Sequence, residues 1–329
     1  MMPLLFPKFL HRVRCTLFII VLCTTVTPLW VMAQMSVFSF LRNEPSARIS
    51  ALGNAGVALA GDVSASMINP AILGTALEYN FEATFFKHIA DINAGTIVFA
   101  SPLERYGVRT KGVAAVGVNY INYGSFDRTT TGRDNLGSFS AYDMAVSFMY
   151  ANQLDTNWFY GVSGSFIASQ LDDAGASGVS ISAGMLYRLQ KQRVNIAIAL
   201  VHAGSQTRAY TGERFGLPAD VRVGFNHLLR GLPLLFNVSF NSINRQDGDF
   251  LSRFRDVSLG GEIIFSPSVQ ARVGYNNARR QALAPERSGG LSGITGGLGV
   301  VLKSVRMDYG FSSFGSAGLV HRITVNANL

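Results

Sequence analysis

From about residue 79 to Leu329 the chain is a succession of short segments in which apolar side chains alternate with small or polar ones. Val194-Asn195-Ile196-Ala197-Ile198-Ala199-Leu200, Phe236-Asn237-Val238-Ser239-Phe240 and Ile323-Thr324-Val325-Asn326-Ala327-Asn328-Leu329 are typical. A period of two is the signature of a strand with one apolar face. No run of helical period is evident in this region. A closed sheet with an oily outside and a polar inside has this pattern and can span a membrane.

Fourteen strand segments are expected, at about 79–88, 92–101, 112–122, 139–150, 158–170, 179–187, 192–202, 219–228, 232–243, 254–265, 268–276, 292–301, 304–312 and 320–329. Most are roughly nine to twelve residues long, as a tilted membrane strand requires. Their connectors alternate in length. Those at 123–138, 203–218, 244–253 and 277–291 are long, whereas 229–231, 266–267 and 302–303 are short. Alternate connectors of an up-and-down barrel lie at one end, and outer-membrane barrels carry long loops outside and short turns in the periplasm. The short connector near 89–91 and the longer one at 102–111 depart from this parity. Tyr and Phe cluster near segment ends, as interfacial girdles do.

The first 78 residues differ. Lys8, His11, Arg12 and Arg14 precede an apolar stretch from Cys15 to Trp30, and Val31-Met32-Ala33 supplies a small residue. Residues 1–33 read as a secretory signal peptide cleaved after Ala33. Residues 34–78, rich in Ala, Gly, Ser and Asn and broken by Pro45 and Pro70, read as a plug inside a barrel spanning 79–329. The expected fold is therefore an all-β transmembrane antiparallel barrel of about fourteen strands with an N-terminal hatch, and the expected location is the outer membrane.

Composition narrows the chemistry. Both cysteines, Cys15 and Cys23, lie in the leader, so nothing after it forms a disulfide or a cysteine-metal site. The formal charge of +8 falls to +5 once Lys8, Arg12 and Arg14 are removed, and the remaining basic residues are scattered, which argues against nucleic acid. His11, His88, His202, His227 and His321 show no metal-ligand spacing. Gly296-Gly297-Leu298-Gly299 precedes a strand, not a helix, so it is no dinucleotide fingerprint; no cofactor is expected. Asp172-Asp173 offers either a calcium site or a solvated turn. Ser312, Ser313 and His321 are the least implausible hydrolase set, but no G-x-S-x-G accompanies them, and no catalytic residue is assigned.

Charges within strands are more informative. Asp256 and Glu262 share a parity with Ser258 and Gly260, Arg272 with Gln270 and Gly274, and Arg306 with Asp308. A charge facing lipid costs several kcal/mol, so all five are expected to face the lumen, either binding the hatch or lining a conduit.

Asp62-Val63-Ser64-Ala65-Ser66-Met67-Ile68-Asn69-Pro70-Ala71 resembles the hatch signature of FadL-like outer-membrane barrels, with Asn69, Pro70 and Ala71 as its core. Pro45-Ser46-Ala47-Arg48 with Ala51-Leu52-Gly53 is similar to the mature N-terminus of the PorV/PorQ family of type IX secretion. Ala90-Asp91-Ile92-Asn93-Ala94-Gly95, Tyr120-Ile121-Asn122-Tyr123-Gly124-Ser125-Phe126, Gly274-Tyr275-Asn276-Asn277 and Arg279-Arg280-Gln281 resemble its PorQ-like members in particular. Asn54 departs from the pattern, where a second glycine is expected. The resemblance implies a fourteen-stranded barrel with a hatch. It also implies a non-enzymatic docking role in a cell-surface attachment complex with PorU-, PorV- and PorZ-like partners, which joins cargo to lipopolysaccharide. The alternative is a FadL-like channel for hydrophobic small molecules, which would carry a greasy internal pocket near the hatch and a lateral gap.

Overall fold

The computed structural model describes residues 36–328, apart from 77, 79, 89–91, 130–134, 245–253 and 284–290. The signal-peptide expectation, Tyr79, Ala90-Asp91 and the terminal Leu329 therefore lie outside the described residues. Fourteen antiparallel strands form a closed barrel in which each neighbours the next and β1 (Asn80–Lys87) pairs with β14 (Leu319–Asn328). The strands between are β2 (Asn93–Pro102), β3 (Val113–Thr129), β4 (Asn135–Gln153), β5 (Trp158–Leu171), β6 (Ala174–Leu189) and β7 (Val194–Arg208). They continue as β8 (Asp220–Leu228), β9 (Leu234–Phe240), β10 (Val257–Ser266), β11 (Val269–Asn276), β12 (Ile294–Leu302) and β13 (Val305–Ser313).

Alternation dictates the two surfaces. Phe85, Ile97, Phe148, Val162, Phe166 and Ile323 point outward and are more than half exposed or close to it, while their neighbours Phe86, Val98, Ser147 and Arg322 are buried. A soluble monomer rarely exposes a continuous apolar belt of this extent, whereas lipid covers one.

Strand lengths differ from expectation. β3 to β7 run well beyond a membrane strand, so the connectors expected at 123–138 and 171–178 are largely strand; Asp172 and Asp173 alone link β5 to β6. Main-chain pairing continues past the bilayer because each added residue still finds a partner across the hairpin, as in Phe126↔Phe139 and Leu171↔Ala174. The wall is thus tall along β3–β7 and low elsewhere. The longest connectors, 209–219, 241–256 and 277–293, all follow odd-numbered strands, and the connectors 267–268 and 303–304 follow even ones. Helical structure, not foreseen, occurs at α1 (Ala47–Ala51) and at α2 (Asn277–Leu283), the latter in the β11–β12 connector.

The N-terminal segment fills the lumen. It passes through short 3-10 segments at Ser39–Arg42, Ser64–Met67 and Pro70–Thr75 and buries Ile49, Leu52, Val57, Leu59, Ile72 and Leu73 almost completely. Three apolar clusters join it to the wall, the largest uniting Ile49, Leu52, Ile68 and Ile72 with Phe159 and Leu186 of β5 and β6.

Candidate functional site

The hatch is shaped by its own caps and seated against glycines. The Ser46 side chain accepts from Ile49 N at 3.2 Å and starts α1. Asn69 does the same for the following turn: its Oδ1 accepts from Ala71 N at 3.1 Å, Pro70 occupies the first turn position, and its Nδ2 donates to Val57 O at 2.9 Å. Opposite this Asn69-Pro70-Ala71 turn the wall presents Gly184 and Gly161. A Cβ at Gly184 would lie 1.9 Å from Asn69 Oδ1, and one at Gly161 would lie 2.3 Å from the Pro70 carbonyl carbon. On the other side Gly310 and Gly260 admit Ala47 and Leu52 in the same way, with approaches of 2.5 and 2.6 Å to their carbonyl oxygens. At Gly161, Gly260 and Gly310 hatch main chain packs directly on wall main chain, whereas Gly184 makes room for the Asn69 side chain.

The remaining motif residues are spread over this seat. Ala47 N donates to Thr324 Oγ1 of β14 at 2.8 Å, and Pro45 is buried beside an inner chamber. Arg48 reaches Glu262 of β10 through two hydrogen bonds, at 2.8 Å from Nε and 2.7 Å from Nη2. Arg272 of β11 joins Glu262 at 2.6 Å and Asp308 of β13 at 2.6 Å. Arg306 joins Asp308 at 2.8 Å, Asp62 of the hatch at 3.3 Å and Glu82 of β1 at 3.8 Å. Glu262, Arg272, Arg306 and Asp308 thus face the lumen and touch or adjoin the hatch. Asp256 does not belong with them: it precedes β10 in the connector, half-buried at the rim of the long-loop end, because the strand starts one residue later at Val257.

A second cluster lies nearer the long loops. Glu44 accepts from Arg322 of β14 at 2.8 Å and also from Arg279 of α2. Burial alone would raise the Glu44 pKa, but the two guanidiniums prevail and hold it down at about 2. Together the two clusters hold the guanidiniums of Arg48, Arg272, Arg279, Arg306 and Arg322 against the carboxylates of Glu44, Asp62, Glu82, Glu262 and Asp308, five of each. Sequence reasoning missed Glu82 and Arg322 as lumen charges, although Thr84 and Thr324 beside them carry the same parity signal. Arg279 had no such signal, since it reaches Glu44 from a helix in a long connector.

Three cavities follow the hatch. An open vestibule of about 620 Å³ at the long-loop end is lined by residues including Arg42, Glu44, Arg222, Arg279 and Arg322. Asn43 and Arg222 also line a smaller inner chamber of about 30 Å³ between the hatch and the inner faces of β3–β8. A cleft of about 300 Å³ at the other end borders Asp62, Thr75, Asn80 and Asn328. The chamber is two-faced. Apart from Asn43, the hatch offers it apolar groups such as Met67 and Ile68, and the wall offers four serines, Asn119 and His202 beside the apolar Ala145 and Met149. This chamber is thus part polar rather than wholly greasy, and among the described residues each strand pairs with both of its neighbours.

The hydrolase set does not assemble. Ser312 is buried inward against Ser50 Oγ at 2.7 Å, while His321 is exposed on the outer surface and bonds Tyr309 Oη at 2.7 Å. Asp172 pairs with Arg128, and among the described residues no three His, Cys, Asp or Glu side chains converge as a metal site.

No family model and no curated protein sequence matches the chain. Solved structures do share its fold. The toluene transporter TbuX of Ralstonia pickettii superposes with a TM-score of 0.57 at 14% identity, over 89% of this chain and 100% of that one. The toluene transporter TodX of Pseudomonas putida superposes with a TM-score of 0.53 at 12% identity, over 86% of this chain and 96% of that one. At this identity the likeness is one of fold: a hatch-plugged, outer-membrane-type barrel.

Proposed function

We propose that the chain is an outer-membrane barrel that admits small molecules past its hatch, with the long loops outside and both barrel ends in the periplasm. The observation that carries this reading is the series of vestibule, chamber and cleft along the hatch. Asn43 and Arg222 are common to the first two. Between chamber and cleft stands apolar packing in which Met67, Leu73, Val98 and Met149 take part, with the buried Ser66 hydroxyl against Met149 Sδ. The fold shared with two toluene transporters supports it, although the hydroxyl-rich chamber wall points away from a purely hydrocarbon cargo. The chain performs no covalent chemistry in this reading. Full-length protein reconstituted in lipid vesicles is expected to raise their permeability to small uncharged solutes above that of protein-free vesicles; equal rates would sink the proposal.

A second reading, docking in type IX secretion, is favoured by the PorQ-like motifs along the chain. It is also favoured by the tall β3–β7 wall, which raises a rigid edge above the membrane. In that role the barrel would hold PorU-, PorV- and PorZ-like proteins beside lipopolysaccharide. Co-isolation of those proteins from gently solubilised outer membrane, together with vesicles that stay tight, would replace the transport reading with this one.

A further inference from the structure

We infer that the hatch is anchored on its β10–β14 side and yields on its β3–β7 side, and that the seam so opened passes small uncharged solutes bearing hydroxyl groups. This rests on the transport reading and specifies its route and substrate class.

The two arcs of the wall hold the hatch by different means. Along β10–β14 the grip is polar: Arg48 on Glu262, Asp62 on Arg306, Glu44 on Arg322, Ser50 on Ser312 and Ala47 N on Thr324. Main-chain carbonyls join in, with Ala51 O accepting from Thr295 at 2.8 Å and Gly53 O from Asn276 at 3.1 Å. Breaking a buried ion pair on one side costs roughly 3–5 kcal/mol, because the surviving charge stays in a poor solvent. Separating the hatch here would break several at once.

Along β3–β7 the grip is apolar at chamber depth. The chamber-lining positions there are Asn119, Ser147, Ser163, Ser165 and Ser182 together with the apolar Ala145 and Met149, all uncharged, and the hatch opposes them with Met67 and Ile68. Those side chains cannot satisfy hydroxyls and amides. Asn119 Oδ1 and His202 Nδ1 accordingly have no hydrogen-bond partner, although the two residues are only 7% and 9% exposed. Both residues line the chamber. Its volume of about 30 Å³ admits about two waters, given that one needs roughly 10–15 Å³. A buried polar group without a partner is a cost. Glu82 Oε1 and Arg322 Nε carry the same cost on and beside the other arc. What separates the two sides is that, among the described residues, widening the seam at the chamber breaks no ion pair, whereas parting the β10–β14 side breaks several.

The lining selects the solute. Arg222, at the junction with the vestibule, is neutralised by Asp220 at 2.6 Å, and among the described residues no other Asp, Glu, Lys or Arg lines the chamber to hold an ion. A hydroxyl group both donates and accepts and can satisfy Asn119 Oδ1 and His202 Nδ1, which a hydrocarbon would leave without a partner. Ser147 and Ser165 already bond each other at 2.8 Å, and Ser182 accepts from His202 N at 3.1 Å.

Because Cys15 and Cys23 are the chain's only cysteines, paired cysteines can lock either arc in protein lacking the leader. Ser50→Cys with Ser312→Cys bridges the anchored arc, where the two hydroxyls lie 2.7 Å apart. Ser66→Cys with Met149→Cys bridges the yielding arc through a short, reducible bis-thiosulfonate crosslinker, since Ser66 Oγ lies 3.3 Å from Met149 Sδ and a cysteine sulfur at 149 stands one bond further back. Full-length protein in vesicles is then assayed by swelling in erythritol and in sodium gluconate. We expect the crosslinked Ser66–Met149 pair to slow erythritol entry at least fivefold, reversibly with reductant, and the oxidised Ser50–Ser312 pair to stay within twofold of the unmodified protein. Asn119→Leu, which needs no disulfide, is expected to slow erythritol at least threefold. Blockage by the Ser50–Ser312 lock alone would overturn the proposed direction of opening, and gluconate entering as fast as erythritol would overturn the solute class; both leave transport standing. If no solute enters with unmodified protein, the transport reading itself fails.

Discussion

Arg48 and Glu262 meet as a parallel, two-bonded pair between the hatch and β10, 2.7 and 2.8 Å apart, with both side chains nearly excluded from solvent. Such a fork matches guanidinium and carboxylate geometry and fixes orientation as well as distance. Glu262→Ala is expected to destabilise hatch docking by about 3–5 kcal/mol, because Arg48 and Arg272 would both lose a buried partner. Arg48→Met combined with Glu262→Leu should cost less than Glu262→Ala alone. Denaturant unfolding of the three proteins, followed through protease cleavage of the hatch, measures the difference.

The glycine seat makes a sharper prediction. Gly184→Ala collides with a side-chain atom, Asn69 Oδ1, and Gly161→Ala with the main chain at Pro70. Each should displace the turn at a cost of about 1–3 kcal/mol or more. Adding Asn69→Ala should partly rescue Gly184→Ala, since it removes the atom in the way, and should not rescue Gly161→Ala. Protease sensitivity of residues 57–76 distinguishes the two.

The Glu44 cluster predicts a pH dependence. Its carboxyl titrates near 2 in the folded chain and near the ordinary 4.5 when released. A depressed folded pKa stabilises above the unfolded value, so this contribution is complete above about 4.5 and is lost as pH falls toward 2. It amounts to ~3.5 kcal/mol at most, by the equivalence of one pKa unit to about 1.4 kcal/mol. Amide hydrogen exchange of residues 39–46 should accelerate across that window, and Glu44→Gln should abolish the pH dependence.

Val162, in the middle of β5 and half exposed, faces outward. Val162→Arg should destabilise the barrel in a bilayer by ~2–4 kcal/mol. The inward Ser163→Arg should instead disturb the hatch while leaving the lipid belt intact. Refolding into vesicles from urea separates the two effects, since hatch release alone leaves the barrel's heat-resistant mobility in place.

Much of the wall was legible because a strand's chemistry is local. Alternation at Ile196-Ala197-Ile198 or Ile323-Thr324-Val325 states which side meets lipid, whatever the rest of the chain does. The strands of β8–β14 start and end within a few residues of the expected positions for this reason. The extension of β3–β7 was not legible, since polar residues past the bilayer read as loop until the opposite strand is known to continue pairing them. The same parity rule exposed Glu262, Arg272, Arg306 and Asp308 as lumen charges, but it says nothing of Asp256, where the strand has not yet begun.

By itself, then, the sequence determined a barrel wall with an oily exterior, a charged lumen and a segment unfit to be a strand, because side-chain period and composition act over a few residues at a time. Only the tertiary structure decided which lumen glycines touch the hatch, that five guanidiniums and five carboxylates meet on and beside one arc, and that uncharged side chains line the chamber on the opposite arc. Those relationships join residues as far apart as Glu44 and Arg322, and chain closure around the hatch, which no local pattern encodes, is what brings them within hydrogen-bonding distance.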